Sequence, residues 1–251
     1  MRPYLRLWSV IGAMALGLAA GPFAPTASAA VVISDATFTD ADWASTKEID
    51  TTPGTVATFT AAQSAGGLGN PDPYRLVTHS YVDGAIHISH VFTAGSYDPA
   101  TQGAISTLDY TYDLRRFSSD IGLAPLVGQR PSLFQGGTLF IMTTSFSFSH
   151  TGWAPFAALG LTQLDFIDLT ASSSPDFSAA GALIQFGYFT NNGDPIGGIV
   201  TPPSLVTTDS GIDNWIVTVN QVPVQISEPG TLALFGIGLA GLASLRRRKP
   251  A

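Results

Sequence analysis

The chain has 251 residues, 45% hydrophobic and only 12% charged, with 26 Gly, 17 Pro and no Cys. The missing cysteine excludes a disulfide framework, cysteine-ligated zinc or iron–sulfur sites and thiol catalysis. Low charge with abundant small and β-prone residues argues against a helical protein. The net charge of −7 is segregated: six basic residues sit at the two ends, while Lys47, Arg75, Arg115, Arg116 and Arg130 share the interior with all 18 acids. Such an acidic body excludes nucleic acid as a partner and predicts repulsion of any polyanion that no divalent cation bridges.

Residues 1–30 read as a secretory signal peptide. Arg2 and Arg6 precede the apolar stretch Val10 to Ala20, and Ala27-Ser28-Ala29 supplies a small-x-small cleavage site marked by Ala27 and Ala29. Gly21-Pro22 and Pro25 break the apolar stretch well before the roughly 20 residues that a spanning helix needs. A signal helix is therefore expected ahead of the mature chain.

Residues 31–222 form one domain in which period-two alternation dominates. Strands are expected over Val31 to Phe38, Thr55 to Thr60, Arg75 to Val82 and Ala85 to Phe92, then Ser106 to Leu114 and Thr138 to Phe148. Three more follow over Leu164 to Leu169, Leu183 to Phe189 and Ile212 to Val219. The clearest is Ser106 to Leu114, which turns Leu108, Tyr110, Tyr112 and Leu114 to one face. Asp40 to Ile49 reads as one or two helical turns capped by Asp40. Loops are expected at Ala65 to Pro73, Thr93 to Gly103, Ser172 to Asp176 and Asn191 to Pro203. This pattern predicts an all-β, antiparallel β-sandwich of jelly-roll or lectin-like type, with a closed barrel as the alternative. Gly66 to Pro71 with Tyr74, and Ile212 to Val217, are similar to segments of laminin-like and carbohydrate-binding sandwiches, a resemblance that implies fold rather than activity.

No catalytic or metal site is legible. His87 and His90 stand three apart on a strand and point to opposite faces. His79 and His87 would be diagonal neighbours in a hairpin turned by Asp83-Gly84, with Ser80 opposite His87, and surface positions are expected for these rings and for His150. Asp109, Asp113, Asp165 and Asp168 alternate as solvated strand residues do, and the hydrolase, zincin and nucleotide-loop motifs are absent. Asn191-Asn192-Gly193-Asp194 and Asp209 to Asn214 offer oxygen ligands for calcium but read first as turn sequence, so no cofactor is expected. Trp43, Trp153 and Trp215 could stack on a sugar ring; Trp215 reads as core and Trp153 as the exposed one. Paired threonines such as Thr37 with Thr39 do not recur on the regular coils that an ice-binding face needs.

Residues 223–251 form a linker and a tail. Ser227-Glu228-Pro229 is followed by an apolar helix over 232–245 and by Arg246-Arg247-Arg248-Lys249. The helix spans only about 21 Å at 1.5 Å per residue, a marginal transmembrane anchor with a basic cytoplasmic stop, suited to transient retention before cleavage. This arrangement resembles the PEP-CTERM sorting signal of Gram-negative bacteria, with Ser227 in place of the first Pro. The resemblance implies recognition and cleavage by an exosortase, a membrane Cys protease, and association with exopolysaccharide or biofilm matrix. The expected function is that of an exported, non-enzymatic surface or matrix protein that binds glycan. A polysaccharide hydrolase or lyase, and a structural coat protein, are the alternatives.

Overall fold

The computed structural model describes residues 26–27, 30–51, 57–82, 84–119, 127–193 and 205–225. Ala29, the apolar helix 232–245, the basic end and the rest of the expected signal helix lie outside them. Among the described residues no helix is long and apolar enough to cross a membrane. The chain divides into two units, Ser28–Pro223 and the two ends Met1–Ala27 with Val224–Ala251. In the unit of the ends, β1 (Thr26–Ala27) pairs antiparallel with the last strand, Val224–Gln225, which places Ala27 opposite Val224.

Ser28–Pro223 is built from strands. The first half holds β2 (Ala30–Asp35), β3 (Trp43–Asp50), β4 (Thr58–Ser64), β5 (Tyr74–Tyr81), β6 (Ala85–Phe92) and β7 (Ile105–Ser119), with one α-helical turn, α1 (Pro99–Gln102). The second half holds β8 (Val127–Gln135), β9 (Thr138–Met142), β10 (Phe146–Phe148), β11 (Ala154–Leu161), β12 (Phe166–Asp168), β13 (Ile184–Gly193) and β14 (Val206–Gln221). Two antiparallel sheets result. One has the order β11-β7-β14-β5-β4, with β2 beside the second half of β14; the other has β12-β9-β8-β13-β6-β3, with β10 also on β8.

Alternation makes each sheet two-faced, and the facing apolar sides form the main core, with smaller apolar clusters around Ile86 and Ile88 and around Leu139, Ile141 and Phe189. Leu108, Tyr110, Tyr112 and Leu114 of β7 are all buried, as the alternation predicts. Trp43 and Trp215 join the sheets with rings 5.1 Å apart, edge to face, among Phe38, Phe92 and Tyr188. The fold is the expected antiparallel β-sandwich.

Several expectations about its parts are corrected. Asp40 to Ile49 is a 3-10 turn over Asp40–Asp42 and then β3; the pull of Trp43 into the core extends the chain. The segment Thr138 to Phe148 breaks into β9 and β10, and Phe146 is exposed. Asn191 to Gly193 and Asp209 to Asn214 belong to β13 and β14, not to the turns expected there. The Asp83-Gly84 hairpin is absent, because β5 is paired on both edges by β4 and β14 while β6 is paired by β3 and β13. Chain that could have turned back into one sheet therefore crosses to the other.

Candidate functional site

The buried side chains between the sheets include a polar cluster. His79 and His90 are fully buried, not on the surface as expected, and both Nε2 atoms lie near the Thr190 hydroxyl at 3.0 and 3.1 Å. Ser45 Oγ stands 2.8 Å from His90 Nδ1, and Arg75 donates to Ser45 Oγ and to Asp40. The His90 ring stacks on Tyr188. Burial holds His79 down at about 4 and His90 well below its ordinary value. This cluster is closed to solvent and can organise the core but cannot receive a ligand.

The acids expected in solvent do structural work. Asp109 accepts from Gly160 N–H and Asn220 Nδ2, and Asp165 caps the turn at Thr162. Hydrogen bonds from Ser173, Ser172 and Thr170 hold the Asp168 carboxyl well below the usual carboxylate range. Asp113 accepts from the side chains of both Asn70 and Asn214, while Asp213 accepts from Asn70 N–H. The two sandwich-like fragments of the sequence thus meet, Asn214 Nδ2 also donating to the Asn70 carbonyl at 2.6 Å. Burial pushes the Asp213 carboxyl up against the lowering pull of the Asn70 and Asn214 N–H groups, and nearby Asp113 and Asp72 push it further up. Among the described residues no group of three His, Asp or Glu is placed to hold a metal.

The tryptophans are likewise engaged. Trp43 and Trp215 are core. Trp153, expected to be exposed, is half-buried, set edge-on to Tyr74 and Phe117, and its Nε1 donates to the Leu68 carbonyl at 2.7 Å.

An open groove of about 180 Å³ lies instead on the outer face of the seven-stranded sheet. Its lining comes from four strands: Ala44, Thr46 and Glu48 of β3, Ser89 and Val91 of β6, Gln185 of β13 and Phe134 of β8, with Thr93 just past β6. The trough follows from cross-strand register. Ala44, Val91, Gly187 and Ser132 fall in one row, so the middle of the face carries only small side chains. Gln185 and Phe134 rise on one side of that row. Glu48 is exposed and accepts from Ser89 Oγ at 2.5 Å. The groove therefore offers one aromatic ring, one carboxylate, one amide and several hydroxyls to a ligand. Sequence reasoning missed it because two of its strands, β3 and β8, were not read as strands. Arg130, Ser132 and Phe134 do alternate with Gln129, Pro131 and Leu133, yet Pro131 masks the signal. Pro131 falls where the neighbour of β8 changes from β9 to β10.

Residues 225–249 match the PEP-CTERM protein-sorting motif. The chain carries a PEP-CTERM sorting signal. It is accordingly exported to the cell surface by the exosortase pathway. Ser227, Glu228, Pro229, Arg246, Arg247 and Arg248 all fall inside this PEP-CTERM match and outside the described residues.

No curated protein matches the chain in sequence. In fold it is similar to a carbohydrate-binding module of the β-sandwich superfamily, at 12% identity and a TM-score of 0.42 over 72% of this chain. A second similar structure holds the CBM22-1 and GH10 modules of an endo-1,4-β-D-xylanase from Clostridium thermocellum, complexed with xylohexaose, at 9% identity and a TM-score of 0.41 over 79% of this chain. The CBM22-1 xylan-binding domain of Xyn10C from Paenibacillus barcinonensis gives 6% identity and a TM-score of 0.41, covering 78% of this chain and 98% of that domain. The chain spans 61% and 30% of the lengths of the first two.

Proposed function

We propose that this exported protein binds glycan without catalysis, in the groove on the outer face of its seven-stranded sheet, as a surface or exopolysaccharide-matrix component of a Gram-negative bacterium. The observation that carries this reading is the chemistry of the groove lining. A sugar ring presents an apolar C–H face and a rim of hydroxyls. Phe134 suits the face, and Glu48, Gln185, Thr46 and Thr93 suit the rim. The groove holds one carboxylate, whereas hydrolysis by paired carboxylates takes two, which favours binding over the hydrolase alternative.

Titration of the full chain, purified after export, against the producing cell's exopolysaccharide tests the reading. Saturable binding is expected, weakened about tenfold by either Phe134→Ala or Glu48→Gln. Absence of binding, or binding that neither substitution weakens, would remove it.

The ends complete the proposal. Cleavage at the Ala27-x-Ala29 site removes the signal, and an exosortase then recognises Ser227-Glu228-Pro229 while the apolar helix and Arg246 to Arg248 hold the tail in the inner membrane.

A further inference from the structure

Beyond the residues that line the groove, the same sheet face carries a cation, Arg130, that no carboxylate among the described residues neutralises. Arg130, Ser132 and Phe134 alternate along β8 and share its outer face. Arg130 falls in the row next to the trough, opposite Phe189, while Phe189 lies opposite Ser89 and Ser89 opposite Thr46. One row further, His87 is opposite Asn191, and the His87 ring meets the Phe189 ring edge-on with centroids 5.6 Å apart.

The polar groups here are under-used. Arg130 is half-buried, and no carboxylate among the described residues forms a salt bridge with it. Among the described residues its Nη1 reaches only the Met142 carbonyl, at 3.4 Å, and its buried Nε has no acceptor. Ser132 Oγ, on the same face, is buried without a partner, and so is Asn191 Oδ1. Burial lowers the Arg130 pKa. Burial and then the Arg130 charge lower that of His87, so the two groups lie within electrostatic reach. Glu48 does not supply the missing anion. It stands three strands away, about 14 Å at the usual inter-strand spacing, well beyond the screening length of about 8 Å.

A half-exposed guanidinium that no carboxylate among the described residues pairs, with its Nε unbonded, on the sheet face that carries the groove, suits an anionic acceptor. We propose that Arg130, with His87 on the same face across β13, forms a carboxylate subsite next to the groove and selects an acidic polysaccharide, one that carries uronic acid residues. The inference rests on the glycan-binding reading. It also reverses locally what the acidic composition predicts for polyanions. Glu48 meets the hydroxyls of a neighbouring sugar while Arg130 takes the carboxylate.

The test compares short oligomers of glucuronic, galacturonic and mannuronic acid, each beside its methyl ester, as ligands of the full chain at constant ionic strength. The ester keeps the sugar skeleton and removes the charge. At least one acid is expected to bind about tenfold tighter than its ester. Arg130→Met is expected to erase that preference while the ester still binds, and Arg130→Lys to keep part of it. Equal binding of acid and ester by the unaltered chain would overturn the carboxylate subsite and leave the glycan-binding reading standing. A preference that survives in Arg130→Met would also overturn it, and binding of neither acid nor ester would remove both readings.

Discussion

The hydroxyl of Thr190 has one proton to give, and two imidazoles compete for it. Its proton is used when it donates to the bare Nε2 of one ring and accepts from the protonated Nε2 of the other, an arrangement that a neutral pair allows, and His79 Nδ1 is left buried without a partner. Arg75 already places a cation beside them, 2% exposed and 5.6 Å over the Trp43 ring. A second charge there is unfavourable. Burial lowers His79 to about 4 from 6.5, with His87 adding to the shift and Asp209 opposing it; burial, Arg75 and His79 lower His90. Below pH 6.5 the unfolded chain therefore binds protons that the folded chain refuses, and stability falls as pH drops. For His79 alone the loss approaches about 3 kcal/mol by pH 4. Thermal melts between pH 8 and pH 4 are expected to show a falling midpoint below pH 6.5, and a flat profile would contradict the buried pair. The inward position of His90 was legible, since it shares the parity of Ile86, Ile88 and Phe92. Its partner was not, because Thr190 lies 100 residues further along the chain.

Among the elements, β14 shows how a long strand serves two neighbours on one edge. Its first half pairs with β5 and its second half with β2, while β7 runs along its other edge. The change falls at a bulge between Asp213 and Ile216, where Asn214 takes a left-handed φ of 52°. Asparagine tolerates that backbone, and its side chain ties Asn70 to Asp113. Asn214→Ala loses both bonds and keeps the strained backbone, so a loss of about 2 kcal/mol is expected from denaturant unfolding. An unchanged midpoint would show that the knot between β14 and the loop before β5 is dispensable. Strands with clean alternation, such as β7, were legible from their residues. β8 was hidden by Pro131, and β3 by a run of charges that resembles a helix start.

At the scale of the whole molecule, the sorting signal and the proposed binding groove occupy separate parts of the chain. The sorting signal occupies residues 225–249, and the groove lies in Ser28–Pro223. Replacing Glu228 or Pro229 is therefore expected to leave an uncleaved chain in the inner membrane with its glycan affinity intact. Normal processed mass and release in such variants would remove the assignment of these residues to the sorting motif. Composition and local pattern by themselves determined the β-sandwich, the acidic body, the absence of cysteine chemistry and the tripartite tail. Each depends on residue type or on neighbours a few positions apart. Only the tertiary structure decided which histidines are buried, which acids are tied up in turns, and that Glu48, Phe134 and Arg130 share one face. Those outcomes depend on strand order and register, which bring together β3, β6, β13 and β8 from distant parts of the chain, and no local spacing encodes such pairings.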